Sequence, residues 1–206
     1  MTACARGIAV VLASALFTGC STMSPATSVP ARASSPAATD AERGALPRFA
    51  DALTLMKNRQ DDAALNAFVA LAHDYPQFSG PPTNLGILYA KKKENASAMA
   101  AFRKAVAINP RNAIAWNWLG ALQRNAGDFE HARESYLNAI AARPDYAPAH
   151  YNLALLYDVS LKHPAEALAE YRAYRALDPD RVIVESWIRE LDATLTPTAV
   201  AQRGTQ

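Results

Sequence analysis

Four histidines and two cysteines carry the most reactive side chains of this 206-residue sequence. His73, His131, His150 and His163 stand far apart, whereas a zinc site draws its ligands in closely spaced pairs. His73 and His163 read as turn or helix-end residues, and His150 as a helix-start residue. The sequence holds no G-x-S-x-G elbow, no Gly-rich phosphate loop and no H-E-x-x-H pair. Its 8 glycines are scattered, so no loop looks built to wrap a cofactor. The expectation is a protein that is not an enzyme, with no catalytic residue, no metal and no cofactor. The chemistry that remains belongs to amides and cations. A side-chain amide offers both donor and acceptor and can pair with a peptide unit without reading its sequence. A guanidinium offers a fork to a carboxylate.

Cys20 carries chemistry of another kind. Arg6 and the N-terminal amine precede an apolar run over residues 7–17 that is too short to span a bilayer. The run ends in Leu16-Phe17-Thr18-Gly19-Cys20, which is similar to the bacterial lipobox, where a peptidase cuts before a cysteine carrying a diacylglycerol. It departs from that motif at Phe17, where leucine is usual and Leu16 stands one place early. A plain secretory signal is the alternative. Cys4 leaves with a signal peptide over residues 1–19, so Cys20 has no disulfide partner. A lone thiol is a liability in an oxidising compartment, and acylation removes it. Cys20 is therefore expected to be lipidated and to anchor the chain firmly through its acyl chains. The resemblance to lipoproteins of two-membrane bacteria, with Ser21 after the cysteine, implies the outer membrane, facing the periplasm.

Residues 20–44 follow the cysteine with Ser, Thr, Pro and Ala and no aromatic side chain. Such a stretch buries too little to offset its ordering entropy and reads as a flexible tether. Its random-coil reach is roughly 25–30 Å. Residues 196–206 read as a loose tail. Apolar residues make up 50% of the whole chain, which places its remainder among globular proteins. A formal net charge of +2 is too small to imply nucleic acid as the partner.

Between tether and tail the chain repeats. Leu85, Gly86 and Tyr89 are followed by Ala98, Phe102, Ala105 and Pro110. Trp116, Leu119, Gly120, Ala132, Tyr136, Ala139 and Pro144 stand at matching places in the next block. Leu153, Ala154, Tyr157, Ala167, Tyr171 and Pro179 do so again, with one extra residue inserted near Lys162. A weaker block precedes them, with Ala52, Leu55, Ala64, Phe68, Leu71 and Pro76. The period of about 34 resembles the tetratricopeptide signature W-x2-L-G-x2-Y, A-x3-F and P. The resemblance covers residues 46–179, and Gln123 departs from it by replacing an aromatic residue.

Each block reads as two helices, because the apolar residues recur at steps of three and four. Gly120 and Ala132 are expected where the two helices approach most closely. Phe102 and Tyr136 are expected to fill the space between blocks. The prolines follow their helices and stop them, and Gly127 stands where a left-handed residue is often needed. After the last block, Val184, Trp187, Ile188, Leu191 and Leu195 make one apolar stripe, with Asp180 as the expected N-cap. The expectation is an all-α, right-handed solenoid of about four helix pairs. These occupy residues 45–78, 79–112, 113–146 and 147–180, with a capping helix over 181–195.

The resemblance also implies a site. In this family the first helix of each pair lines a concave groove, and the side chains not used by the packing signature face into it. Those are Thr83, Asn84, Ile87 and Lys91 in the second block, then Asn117, Ala121, Arg124 and Asn125 in the third. In the fourth they are Tyr151, Asn152, Leu155 and Asp158. Asn84 and Asn152 hold the place of an asparagine ladder that bonds a ligand backbone. Trp118 interrupts that ladder, with Asn117 alongside. The expected partners are other proteins of the bacterial cell envelope, with a lipid anchor to the membrane and no nucleic acid. The expected role is a scaffold or adaptor that binds a partner peptide or helix. Two alternatives stay open: a pilotin-like factor for pilus or secretin assembly, and an enzyme or enzyme subunit acting on envelope substrates.

Overall fold

The computed structural model describes residues 40–196, which are helix and turn. The expected signal peptide, Cys20, most of the tether and the tail beyond Thr196 lie outside the described residues. Four helix pairs follow one another. They are α1 (Asp40–Lys57) with α2 (Asp61–Asp74), α3 (Gly80–Lys91) with α4 (Asn95–Ile108), and α5 (Ala113–Asn125) with α6 (Phe129–Ala142). The fourth joins α7 (Ala147–Leu155), extended by a π-helical segment (Leu156–Leu161), to α8 (Pro164–Leu177). A final helix, α9 (Val182–Leu195), follows. The first helix begins at Asp40, inside the segment expected to be tether, and carries Pro47 in its interior.

The close approach within a pair is visible at Gly120. A Cβ there would lie 2.8 Å from the Tyr136 ring and 3.1 Å from the Ala132 carbonyl oxygen, inside ordinary contact. Phe68, Phe102, Tyr136 and Tyr171 recur once per repeat, and each is fully buried. These aromatic rings join one pair to the next. Each second helix ends two residues before a proline, which cannot continue it. The turn inside each pair carries one left-handed residue: Arg59, Lys93, Gly127 and Lys162, with φ between 57° and 79°. In three turns the following N–H reaches back five residues, as from Asp128 to the Gln123 carbonyl at 2.9 Å. In the fourth, His163 reaches back six, to Tyr157 at 2.9 Å. The inserted residue near Lys162 is thus absorbed as a π-turn, and the signature up to Tyr157 keeps its register.

Helix α9 seals the last pair. Val184, Ile188 and Leu191 are buried with Leu168, Tyr171 and Tyr174, and Trp187 packs on the rings of Tyr151 and Tyr171. Two expectations for α9 need correction. Its N-cap is Arg181, not Asp180, whose backbone carbonyl instead accepts from the Val182 N–H at 3.1 Å. Leu195 leaves the stripe and is exposed, at the frayed end of the helix.

Candidate functional site: the face of the first helices

The first helices lie side by side, α3 against α5 and α5 against α7. Among the described residues, the second helices make no comparable contact with one another. The stack is therefore tighter on the first-helix side, and that side is concave. Asn84, Ile87, Ala121, Arg124, Asn152, Leu155 and Asp158 are half-buried on these helices, and Asn125 is exposed.

Several expected groove residues have other employment. Thr83 is buried: its hydroxyl donates to the Ser79 carbonyl at 2.7 Å and accepts from the Asn112 amide at 2.8 Å. The same Asn112 accepts from the Ala115 N–H and so caps α5. Asn117 is buried too, and its carbonyl oxygen accepts from the Asn152 amide at 2.9 Å, which ties α5 to α7. Two of the asparagines that would address a ligand therefore address each other. The Asn84 amide donates to the Gly80 carbonyl one turn back. Tyr151 packs against Tyr174 and Trp187 as part of the seal with α9. Lys91 pairs with Asp61 at 2.5 Å across to α2, and Trp118 stacks on Phe102. Thr83, Asn117, Tyr151 and Lys91 thus hold helices to one another.

Arg124 differs. It has no ion-pair partner among the described residues. With Asn125, Phe129, Leu155, Val159 and Ser160 it lines a cavity of about 220 Å³. A second cavity, of about 300 Å³, opens in the first repeat between Leu46, Phe49, Leu71, Tyr75, Phe78 and the start of α3. Its walls are apolar, and the spacing argument gave no sign of it because its residues come from three helices.

Residues 83–112, 101–134 and 124–158 match family models of the tetratricopeptide repeat. The chain is a tetratricopeptide repeat protein. Solved tetratricopeptide structures share its fold. MamA residues 41 to the end from Desulfovibrio magneticus superpose with a TM-score of 0.62 at 19% identity, covering 76% of this chain and 86% of that one. The Pseudomonas aeruginosa pilF structure gives a TM-score of 0.67 at 19% identity, covering 76% and 71%. Among curated proteins, the peroxisomal targeting signal receptor of Kluyveromyces lactis is 32% identical over 93 residues. That stretch is 44% of this chain and 16% of the receptor, so the likeness is one of repeats.

Within this tetratricopeptide repeat protein, two buried polar pairs escaped the sequence reading. Gln123, which replaces the signature aromatic, is buried and hydrogen-bonds the Ser135 hydroxyl at 2.6 Å. His150 occupies the place of the signature tryptophan. Its Nδ1 lies 2.7 Å from a Glu170 carboxylate oxygen, and its Nε2 lies 2.9 Å from the Pro144 carbonyl. Both partners are acceptors, an arrangement that favours the protonated ring. The Glu170 contact raises the His150 pKa above the ordinary histidine value, against the opposing effect of burial. The only hint in the sequence was that a histidine stands where the repeat calls for tryptophan. Among the described residues no group of His, Cys, Asp and Glu side chains is arranged to hold a metal. No described helix is long and apolar enough to cross a membrane.

Proposed function

We propose that this tetratricopeptide repeat protein is a membrane-anchored scaffold of the bacterial cell envelope that grips a partner peptide or helix in its concave groove. The observation that carries this reading is the row of half-buried side chains along α3, α5 and α7. Asn84, Ala121, Arg124 and Leu155 are accessible there, beside asparagines that lock the wall in place. A groove whose shape is set before binding loses less entropy when it captures an extended segment. The lipobox-like Leu16 to Cys20 supports attachment at Cys20 and the outer membrane, with the chain working by binding and without catalysis. The scarcity of nucleophile and acid–base groupings in the sequence supports the last point.

The test is crosslinking and pulldown from envelope fractions, comparing the parent with an Asn84, Arg124 and Asn152 triple alanine variant. The expected result is a partner held by the parent and lost by the folded variant. Turnover of a cell-wall or peptide substrate, abolished by a groove substitution, would overturn the reading. Cys20→Ser is expected to release the chain from membranes; a variant that still fractionates with them places the anchor elsewhere.

A further inference from the structure

The signature tryptophan has one seat in each repeat, and the four repeats treat that seat differently. In the third, Trp116 shares one apolar cluster with Ala113, Ala139, Tyr146 and Ala149, and its indole N–H donates to the Pro110 carbonyl. In the second, the tryptophan place holds Pro82, which is fully buried. In the fourth it holds His150, buried between the Pro144 carbonyl and the Glu170 carboxylate. The first repeat has Arg48 there, and Arg48 turns away from the seat. Its guanidinium pairs with Asp74 at 2.8 Å and lies 5.6 Å from the centre of the Tyr75 ring. The four cluster residues around Trp116 correspond to Ala45, Leu71, Phe78 and Pro81, and these line the apolar cavity of about 300 Å³. That cavity is the tryptophan seat in a repeat that has no tryptophan.

Its walls suit a ring. Phe49, Tyr75 and Phe78 contribute aromatic side chains to the lining, and the Tyr75 hydroxyl is the one polar side-chain group among the lining residues. Aromatic rings favour offset or edge-to-face neighbours, which three rings in one wall offer. Gly80 keeps the space open, because a Cβ there would lie 3.0 Å from the Phe49 ring. Leu46, 61% exposed, forms an apolar lip, so the cavity is reached from solvent. The chain does not supply the ring itself. Past the expected signal peptide, residues 20–39 and 197–206 hold no Phe, Tyr or Trp. No described aromatic side chain is exposed for a second copy to offer. We propose that this cavity receives an aromatic side chain, an indole above all, from a partner protein. Aromatic anchors that fill pockets carry much of the energy of an interface. The site goes beyond the groove reading: none of its lining residues belongs to α5 or α7, and the two stand or fall separately.

The probe is N-acetyl-tryptophanamide, with N-acetyl-leucinamide as its aliphatic control. Each is titrated into the full chain while the amide signals of Ala45, Leu46, Phe78 and Gly80 are followed by NMR. The indole probe is expected to shift all four and to bind about fivefold tighter than the leucine probe. Arg48→Trp restores the signature residue, so its own indole is expected to fill the seat and raise the melting temperature. It is expected to weaken the probe by about tenfold or more. Arg48→Ala leaves the seat open and is expected to bind the probe within about threefold of the parent, as for loss of an exposed charge. That control separates filling the seat from removing the Arg48 charge. In cells, a photo-crosslinking residue at Leu46 is expected to join another protein beside one of its aromatic residues, and Arg48→Trp to abolish the adduct. No shift with the indole probe, equal binding of the two probes, or a lowered melting temperature in Arg48→Trp overturns the proposal. So does undiminished probe binding by that variant, or a Leu46 adduct with a second copy of the chain. A partner lost by the triple alanine variant but kept by Arg48→Trp removes this site and leaves the groove reading intact. A partner lost by Arg48→Trp but kept by the triple alanine variant does the reverse.

Discussion

The third and fourth repeats are built on one signature, yet the third keeps its tryptophan and both glycines where the fourth replaces all three. The third has Gly120 at the helix crossing, Trp116 whose indole N–H donates to the Pro110 carbonyl at 2.9 Å, and Gly127 in the turn. The fourth has Ala154 at the crossing, His150 on the Pro144 carbonyl, and Lys162 held at φ 57° after a π-turn. The packing geometry survives every one of these exchanges. Each position demands a physical property, and more than one residue type supplies it. The polar positions are not interchangeable in the same way: Tyr171 is paired inside its repeat, whereas the Tyr136 hydroxyl is buried with no hydrogen-bond partner among the described residues.

The strongest way to break this comparison is Gly120→Leu. With the Tyr136 ring 2.8 Å from a bare Cβ, the side chain must overpack the crossing and is expected to cost about 1–3 kcal/mol in thermal or urea unfolding. An unchanged melting temperature would show that the crossing yields as easily as a surface site.

Next are the two tyrosines. Tyr171→Phe is expected to cost about 0.5–1.5 kcal/mol through its lost bond to Asp158, while Tyr136→Phe is expected to be neutral or slightly stabilising. Equal costs in urea melts would contradict the view that only one hydroxyl is internally satisfied.

The two turns come third. Gly127→Ala is expected to lose about 1 kcal/mol, because alanine resists φ 79°. Lys162→Gly is expected to gain about 0.5 kcal/mol, relieved strain being partly offset by unfolded-chain entropy.

The smallest effect concerns pH. Because Glu170 raises the folded-state pKa of His150, the pair stabilises fully below the unfolded value of about 6.5 and fades as pH rises through the folded pKa. Melting temperature is expected to fall over that window in the parent, and His150→Trp is expected to remove that component. A slope that persists unchanged in the variant assigns the pH dependence to other groups.

Much of this architecture was legible because the signature residues report on their own helix pair. Gly120, Ala132 and Tyr136 announce a close crossing whatever lies around them, and the slip of one residue near Lys162 announced an insertion. The slip did not say that a π-turn would absorb it, since a longer loop satisfies the same count. The start of α1 was hidden because residues 40–44 carry no apolar period and Pro47 argues against a helix running past it. The groove was the least legible part. Thr83 and Asn117 looked like free polar side chains because their partners, Asn112 and Asn152, lie about one repeat away in sequence. Tyr151 looked available because the helix that covers it belongs to the cap. Arg124 was legible as a cation of the groove, but not that it has no ion-pair partner among the described residues.

The central claim is that the first-helix face, not the outer surface, holds the partner. A photo-crosslinking amino acid placed singly at Ala121 or Leu155, and at Val69 or Leu137 on the second helices, tests it in cells. Adducts from Ala121 and Leu155 that vanish in the triple alanine background, with none from Val69 or Leu137, are the predicted result. Adducts from Val69 or Leu137 with none from the groove would contradict the account.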